Sequence, residues 1–252
     1  MKIVACYSFK GGVGKTAAAV NLAYRAAQSG QRTLLIDLDP QGASSFYFRV
    51  RPDSGSKWTK QTFEEADALL TQIRESDYSN LDLIPAQRSL RHLDILLKQT
   101  GSRETVLRRL LKKISQDYDL ILLDCPPSIS RLAENIFVAA DLILVPVIPT
   151  PLSERTYDQL VRFFKDKDYD RKKLLPFFSM VDARKQLHRD TALAMRQRYK
   201  RILRHAIPYS TDVERMGVHR TPIDLFARGR QANRAYLALW EEVGQHVKAM
   251  DK

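Results

Sequence analysis

Residues 9–16 have the sequence FKGGVGKT, which lies between an apolar run at residues 2–7 and an alanine-rich segment with helical spacing. The glycines let successive backbone N–H groups converge on one point without interference from Cβ atoms. Lys15 is expected at the helix N-terminus, where its ammonium group and the helix dipole both attract phosphate, and the Thr16 hydroxyl is suited to ligate Mg²⁺. This stretch predicts a phosphate-binding loop. The residues expected to contact the nucleotide are Lys10, Gly11, Gly12, Val13, Gly14, Lys15, Thr16 and Ala17.

The loop departs from the common form of the motif at its start. That form has a glycine five residues before Gly14, where this chain has Phe9, and the chain also has a second lysine, Lys10. The second lysine indicates the deviant form of the motif, which is more specific than a generic glycine-rich loop.

Two carboxylates complete the predicted site. Asp124 ends the apolar run 120–123, the usual place for an acid that holds Mg²⁺ through water. Asp39 follows the apolar run 33–36, and the proline and glycine after it fix a turn, so it can orient the attacking water at the γ-phosphate. For Asp37, catalysis and stabilisation of this turn are equally open roles.

Apolar runs alternate with helical patterns along the chain. The runs that predict buried strands are residues 2–7, 33–36, 81–84, 120–123, 142–147 and 174–180. The helical patterns are residues 15–29, 64–75, 102–116, 130–139, 153–165, 191–204 and 231–248. This alternation predicts an α/β fold with a doubly wound, mostly parallel sheet and helices on both faces, as in P-loop NTPases, in one domain over residues 1–252. Ligands of such sheets bind at the carboxyl ends of the strands.

The cysteines and the apolar stretches indicate the compartment in which the protein is found. Two cysteines, Cys6 and Cys125, stand far apart in apolar runs, which favours buried thiols in a reducing compartment over a disulfide framework. No apolar stretch approaches the roughly 18 residues of a membrane span, and the apolar start is too short for a signal peptide. The sequence therefore predicts a cytoplasmic protein.

The net charge of +12 is concentrated towards the C-terminus. Residues 184–234 alone carry 13 basic and 4 acidic side chains. Phosphate contacts need Lys and Arg but no base-reading motif, so this segment fits either a solvated basic face or non-specific binding to a polyanion such as DNA. The residues expected at DNA are Arg184, Arg196, Arg198, Lys200, Arg201, Arg204, Arg215 and Arg220.

Three motifs resemble the signatures of the ParA/MinD family of deviant Walker-type P-loop ATPases, in particular the small Soj-like ParA partition ATPases. They are FKGGVGKT, DLDPQG at residues 37–42 and LLDCPPS at residues 122–128, which occur in this order at similar spacing in ParA proteins. PVIPTPLSE at residues 146–154, Asp182-Ala183-Arg184 and Ile207-Pro208 before a long helix also have counterparts, so the resemblance spans nearly the whole chain.

The resemblance implies a Mg²⁺-dependent ATPase that forms a homodimer with ATP between its subunits. In such a dimer Lys10 of each subunit reaches the partner's γ-phosphate and joins Lys15 and Asp39 as a catalytic residue, while Pro208 and Tyr209 lie near the adenine. The ATP-bound dimer would bind DNA non-specifically and associate with the nucleoid, and hydrolysis would be slow until a ParB-like or cargo-adaptor protein stimulates it. Two departures stand out. Ala17 replaces a threonine of many relatives, and no helix-turn-helix segment precedes the loop, which makes operator-specific autoregulation unexpected.

Two other functions are weighed against DNA positioning. A MinD-like membrane switch needs an amphipathic C-terminus, but residues 246–252 hold only three apolar side chains, too few to anchor a dimer, so a membrane partner is not expected. A nitrogenase-type reductase needs cysteines placed to bridge a cluster, whereas Cys6 and Cys125 have structural surroundings. The sequence does not reveal which cargo is positioned, whether a plasmid, a chromosome or a protein assembly.

Overall fold

The computed structural model describes residues 1–99 and 105–250. Within them the strands are β1 (Lys2–Cys6), β2 (Thr33–Asp37), β3 (Arg74–Glu75), β4 (Leu81–Ile84), β5 (Leu120–Asp124), β6 (Leu142–Val147) and β7 (Leu174–Phe178). They form one sheet in the order β3-β4-β2-β5-β1-β6-β7. Every pair is parallel except β3 with β4, which confirms the predicted mostly parallel α/β sheet.

Helices connect the strands over both faces of the sheet. They are α1 (Lys15–Gln28), α2 (Ala43–Tyr47), α3 (Lys60–Glu64), α4 (Ala66–Leu70), α5 (Leu93–Gln99), α6 (Val106–Lys112), α7 (Arg131–Ala139), α8 (Pro151–Asp166), α9 (Gln186–Arg198), α10 (Thr211–His219) and α11 (Gln231–Ala249). Short 3₁₀ turns occur at Arg88–His92, Arg171–Lys173 and Ile223–Leu225. In the described part of the chain, no helix combines the length and apolarity needed to cross a bilayer.

The core lies in two layers, one on each face of the sheet. Along β1, Ile3 and Ala5 face one apolar cluster, and Val4 and Cys6 face the other, because successive side chains of a strand point to opposite faces. The first layer is completed by α6, α7 and α8, and the second by α1 and α11. Burial on both faces explains why the central strands are continuous apolar runs in the sequence.

Two of the predicted helices have the wrong bounds. The predicted helix 64–75 is instead α3 and α4, separated by extended backbone at Glu65, followed by β3. The predicted helix 191–204 ends at Arg198, because the following segment lies along β7, where the Leu203 and Ile207 N–H groups donate to the carbonyls of Pro176 and Phe178.

Other boundaries shift by smaller amounts. The predicted helix 102–116 begins outside the described residues and ends at Lys112 as α6. The predicted strand 174–180 ends at Phe178. The sequence analysis did not foresee α2, α5, α10 or β3, all of which are short.

Candidate nucleotide-binding site

The glycine-rich loop joins β1 to α1 at the carboxyl edge of the sheet. Gly12 and Gly14 have φ values of 68° and 92°, in the left-handed region that favours glycine. A Cβ atom on Gly14 would lie 2.8 Å from the Ser179 Oγ atom, so this hydroxyl would have to move. The backbone conformation therefore favours glycine at this position, and the nearby Ser179 hydroxyl adds to that preference.

Lys15 begins α1 and is 7% exposed. Its Nζ donates a hydrogen bond to the Lys10 carbonyl at 3.1 Å, which holds the ammonium group against the loop. Burial lowers the pKa of Lys15, and the negative charge of Asp124 opposes this effect. A desolvated ammonium group beside a ring of backbone N–H groups is suited to bind phosphate oxygens.

Asp124 lies at the end of β5 and is fully buried. Its Oδ2 accepts a hydrogen bond from the Ser44 hydroxyl at 2.7 Å. Burial raises the pKa of Asp124, whereas the nearby hydroxyl groups of Ser44 and Thr16 and the charge of Lys15 act in the opposite direction. Its Oδ1 is buried and has no hydrogen-bond partner among the described residues.

These oxygens fit a magnesium ion. An unpartnered buried carboxylate oxygen next to the Thr16 hydroxyl is a hard-oxygen donor set, which Mg²⁺ prefers. In the part of the chain that is described, no three His, Cys, Asp or Glu side chains converge as a metal cage. Mg²⁺ usually retains several waters and takes other ligands from nucleotide phosphates. It therefore needs only one or two protein ligands.

Asp37 and Asp39 have different surroundings. Asp37 is buried at the end of β2, where its Oδ2 accepts hydrogen bonds from the Ser45 N–H at 2.8 Å and hydroxyl at 2.7 Å. Its Oδ1 accepts from the Asp39 N–H at 3.3 Å. Asp37 thus fixes the turn, while the half-buried Asp39 side chain faces the adjoining cleft. Asp39 is itself held by the Gln41 N–H, 2.9 Å from its Oδ1.

A cleft of about 480 Å³ opens beside the loop. Of the residues expected at the nucleotide, those that line it are Gly11, Gly12, Gly14, Lys15, Thr16, Ala17, Asp39, Pro208 and Tyr209. Pro208 and Tyr209 belong to a segment tied to Val181 by backbone hydrogen bonds. The lining of the cleft therefore includes both the glycine-rich loop and an aromatic side chain.

Lys10 and Val13 do not line this cleft. Val13 is buried, and both residues border a separate small pocket against α8. The Lys10 Nζ donates to the Ser153 Oγ at 3.3 Å, and the Thr150 hydroxyl also donates to this oxygen, at 3.1 Å. The deviant lysine is therefore directed away from the cleft of its own subunit.

Sequence reasoning missed several residues that shape the site. Ser44 and Ser45 hold the two buried carboxylates, and the pair of small hydroxyl residues shortly after DLDPQG was the signal available. Ser179 packs against Gly14, a contact between distant segments that leaves no local pattern. Additional cleft residues that were not predicted are Ala43, Tyr47, Pro127, Met180, Ile207, Ser210, Val213, Glu214 and Tyr236.

Many of the basic residues expected at DNA are engaged within the protein. Arg184 pairs with Asp182, Arg198 with Glu154 and Asp158, and Arg215 with Asp212. Acidic partners reduce the charge that these side chains offer to a phosphate lattice.

Arg196 and Arg220 are half-buried, and their guanidinium groups contact the protein itself. The Arg196 guanidinium donates to the carbonyls of Leu203 and Arg204, and it lies over the Phe178 ring. Arg220 donates to the Phe46 carbonyl and lies over the ring of the same residue. Backbone carbonyls and aromatic faces within reach thus take up both guanidinium groups, and contact of Arg196 and Arg220 with DNA stays a prediction.

Lys200, Arg201 and Arg204 keep exposed side chains, and none has an acidic partner among the described residues. Arg201 shares a surface groove of about 390 Å³ with Lys165, Arg171 and Lys172, three basic residues that sequence reasoning did not assign to DNA. Asp168 and Asp170 border the same groove and offset part of its charge. Of the eight basic residues expected at DNA, the exposed ones without an acidic partner in the described structure are therefore Lys200, Arg201 and Arg204, which follow α9.

Comparison with known proteins agrees with this geometry. A protein-family model described as "AAA domain" matches residues 1–175. The sporulation initiation inhibitor protein Soj of Bacillus subtilis (strain 168) is 30% identical over 247 residues, covering 96% of this chain and 98% of Soj. The chromosome partitioning protein ParA of Caulobacter vibrioides (strain NA1000 / CB15N) is 30% identical over 251 residues, covering 96% of this chain and 94% of that protein.

A solved structure resembles the chain over almost its full length. Cobyrinic acid a,c-diamide synthase of Mycobacterium smegmatis, solved with ADP and magnesium, superposes with a TM-score of 0.79 at 25% identity. The similarity covers 98% of this chain and 96% of the synthase.

Proposed function

Because this chain belongs to the ParA/MinD family of P-loop ATPases, we propose that it is a positioning ATPase whose ATP-bound dimer binds DNA non-specifically. ATP and Mg²⁺ are its cofactors, and partition or positioning is its broad function. Hydrolysis, stimulated by a partner protein, would release the dimer from the nucleoid in the cytoplasm. The observation that supports this proposal best is the position of Lys10, outside the cleft to which its own loop belongs.

The residues of the cleft would have separate roles in ATP hydrolysis. Lys15 and the loop N–H groups would bind the β- and γ-phosphates, and Thr16 with Asp124 would hold Mg²⁺, which screens phosphate charge when bound. Asp39, fixed by the turn after β2, would orient the attacking water. Pro208 and Tyr209 would flank the base.

Lys10 is the residue through which a dimer would contribute to ATP hydrolysis. Its ammonium group rests on Ser153 of its own subunit and borders a different pocket from the one lined by Lys15. A cation in this position can contribute to charge stabilisation at a γ-phosphate if that phosphate belongs to a facing subunit. ATP would then join the two subunits and also be hydrolysed between them.

The DNA-binding part of the proposal rests on exposed cations without acidic partners. Lys200, Arg201 and Arg204 provide three such cations per subunit, and a dimer would present two sets to one lattice of phosphates. Two relatives at 30% identity, each covering nearly the whole chain, are named for sporulation control and chromosome partitioning. A synthase activity has weaker support, since the solved synthase shares 25% identity.

Two lysine variants test the proposed dimer. Lys15→Ala should abolish binding of both ATP and ADP, because it removes the cation fixed at the phosphates within the subunit. Lys10→Ala should retain both nucleotides but lose the ATP-dependent dimer. Sedimentation velocity with Mg²⁺ and ATP, ADP or no nucleotide measures the dimer, and nucleotide titration measures binding.

Lys57→Ala serves as the matched control, because Lys57 is exposed and does not line the cleft. This variant should form dimers as the unmodified protein does. An undiminished ATP-dependent dimer in Lys10→Ala would refute the role of Lys10 across the interface. Dimerisation that is the same with ATP and ADP would refute the proposed switch.

A further inference from the structure

Glu214 is an acidic residue that lines the nucleotide cleft from the first turn of α10. The residue is exposed, and its Oε1 accepts a hydrogen bond from the Tyr209 hydroxyl at 3.1 Å. Tyr209 lines the same cleft and lies on the segment that backbone hydrogen bonds tie to Val181. The hydrogen bond from Tyr209 therefore holds a carboxylate at the wall of the cleft.

The surroundings of Glu214 differ from those of the other acidic residue in this turn. Asp212 is buried and forms ion pairs with Arg215 and Arg230. Glu214 has no basic partner in the part of the chain that the structure describes, although the protein has a net charge of +12. An acidic residue in the first turn of a helix can serve to stabilise the helix dipole. Asp212 already supplies a negative charge at this helix end, so the carboxylate of Glu214 is available to a ligand.

The charge of Glu214 indicates which part of a nucleotide it can face. An ionised carboxylate accepts hydrogen bonds but donates none. Phosphate oxygens are also negatively charged acceptors, so they repel such a group. The ribose hydroxyls and the amino group of adenine are uncharged donors. Glu214 therefore fits the nucleoside part of a nucleotide and not its phosphates.

Resting on the nucleotide site proposed above, we propose that Glu214 accepts a hydrogen bond from the nucleoside, at a ribose hydroxyl or at the amino group of adenine. Tyr209 is a positioning residue in this arrangement, because its hydroxyl binds Oε1 and leaves Oε2 to the ligand. A site that accepts a hydrogen bond from a substrate group discriminates against analogues that lack the group. Glu214 would thus contribute to the choice of nucleotide, a role separate from those of the glycine-rich loop and Asp39.

Glu214→Ala tests the proposal in titrations with Mg·ATP and with three analogues that each lack one donor. The analogues are 2′-deoxy-ATP, 3′-deoxy-ATP and purine riboside triphosphate, which has no amino group on the base. Glu214→Ala should weaken the binding of ATP by about tenfold, as expected for a hydrogen bond to a charged group. The analogue that lacks the donor should bind to Glu214→Ala and to the unmodified protein with equal affinity. Glu214→Gln should retain part of the affinity for ATP, because its amide oxygen is still an acceptor but carries no charge.

Glu241→Ala is the matched control, since Glu241 is an exposed glutamate of α11 that does not line the cleft. It should leave all the affinities unchanged. Equal losses for ATP and for every analogue in Glu214→Ala would overturn the proposal in favour of a purely structural role. Affinity for ATP that is unchanged or higher in Glu214→Ala would also overturn it, because relief of repulsion would place the carboxylate near the phosphates. Failure of the unmodified protein to bind Mg·ATP would instead overturn the nucleotide site itself, and this inference with it.

Discussion

The combined change Lys200→Ala, Arg201→Ala and Arg204→Ala should sharply reduce the salt dependence of DNA binding. These side chains are exposed and have no acidic partners in the described structure. Each neutralised phosphate of duplex DNA contributes about 0.9 to the slope of log affinity against log salt. If all three contact DNA in both subunits of the dimer, the variant should lose about 5 from the magnitude of that slope.

The assay is equilibrium binding to duplexes of unrelated sequence, measured with ATP at several salt concentrations between about 50 and about 200 mM. The variant should bind more weakly to all duplexes alike, because phosphate contacts carry no sequence information. ATP-dependent dimerisation should be unchanged, which separates a loss of DNA contacts from a loss of the dimer.

Arg32→Ala and Arg196→Ala are the matched controls. Arg32 is an exposed arginine paired with Asp119 at the amino edge of the sheet, and its removal should leave the slope unchanged. Arg196→Ala should lower the free energy of unfolding by about 1–3 kcal/mol, because it removes hydrogen bonds to two carbonyls and the contact with Phe178. A slope in the triple variant equal to that of Arg32→Ala would refute the assignment of this surface.

Two further outcomes are expected. Asp39→Ala should still bind Mg·ATP and form the ATP-dependent dimer, while turnover falls by more than about tenfold, because orienting the water stabilises the transition state more than the bound substrate. Phosphate release measures turnover. Near-normal turnover would exclude Asp39 as the water-orienting residue. His188 is buried, and its Nδ1 accepts the Asp182 N–H at 3.1 Å. Burial lowers the pKa of His188, so its contribution to stability is present above the ordinary histidine pKa of about 6.5 and is lost as pH falls below it. Thermal melting should show a smaller loss from pH 7 to pH 5.5 in His188→Gln than in the unmodified protein, and equal losses would contradict this assignment.

The central strands could be predicted because burial on both faces requires a continuous run of apolar residues in the sequence. The runs at β2, β5 and β6 are apolar at every position or nearly so, and the structure places each within a residue or so of its predicted bounds. The glycine loop was predictable for a related reason, since the backbone conformation at Gly14 favours glycine and the nearby Ser179 hydroxyl adds to that preference. Local constraints of this kind restrict residue type at fixed spacing.

The pairing of charges could not be predicted, because partners lie far apart in the chain. Arg198 meets Glu154 across 44 positions, and Arg25 meets Asp224 across 199. A count of basic residues in a segment therefore overestimates the charge available to DNA. The helix predicted over residues 191–204 fails for a comparable reason, since hydrogen bonds to β7 compete successfully with helix formation after Arg198.

Asp37 and Asp124 differ in how completely their oxygens are hydrogen-bonded. They end neighbouring strands, lie directly opposite each other in register and are both fully buried. Both oxygens of Asp37 accept hydrogen bonds, from the N–H of Asp39 and from the N–H and hydroxyl of Ser45, so this carboxylate is satisfied within the protein. Asp124 keeps one oxygen without a partner in the described chain. A buried oxygen without a hydrogen-bond partner destabilises the folded chain by about 1–3 kcal/mol. A cation with its bound water beside Asp124 Oδ1 would offset this loss of stability.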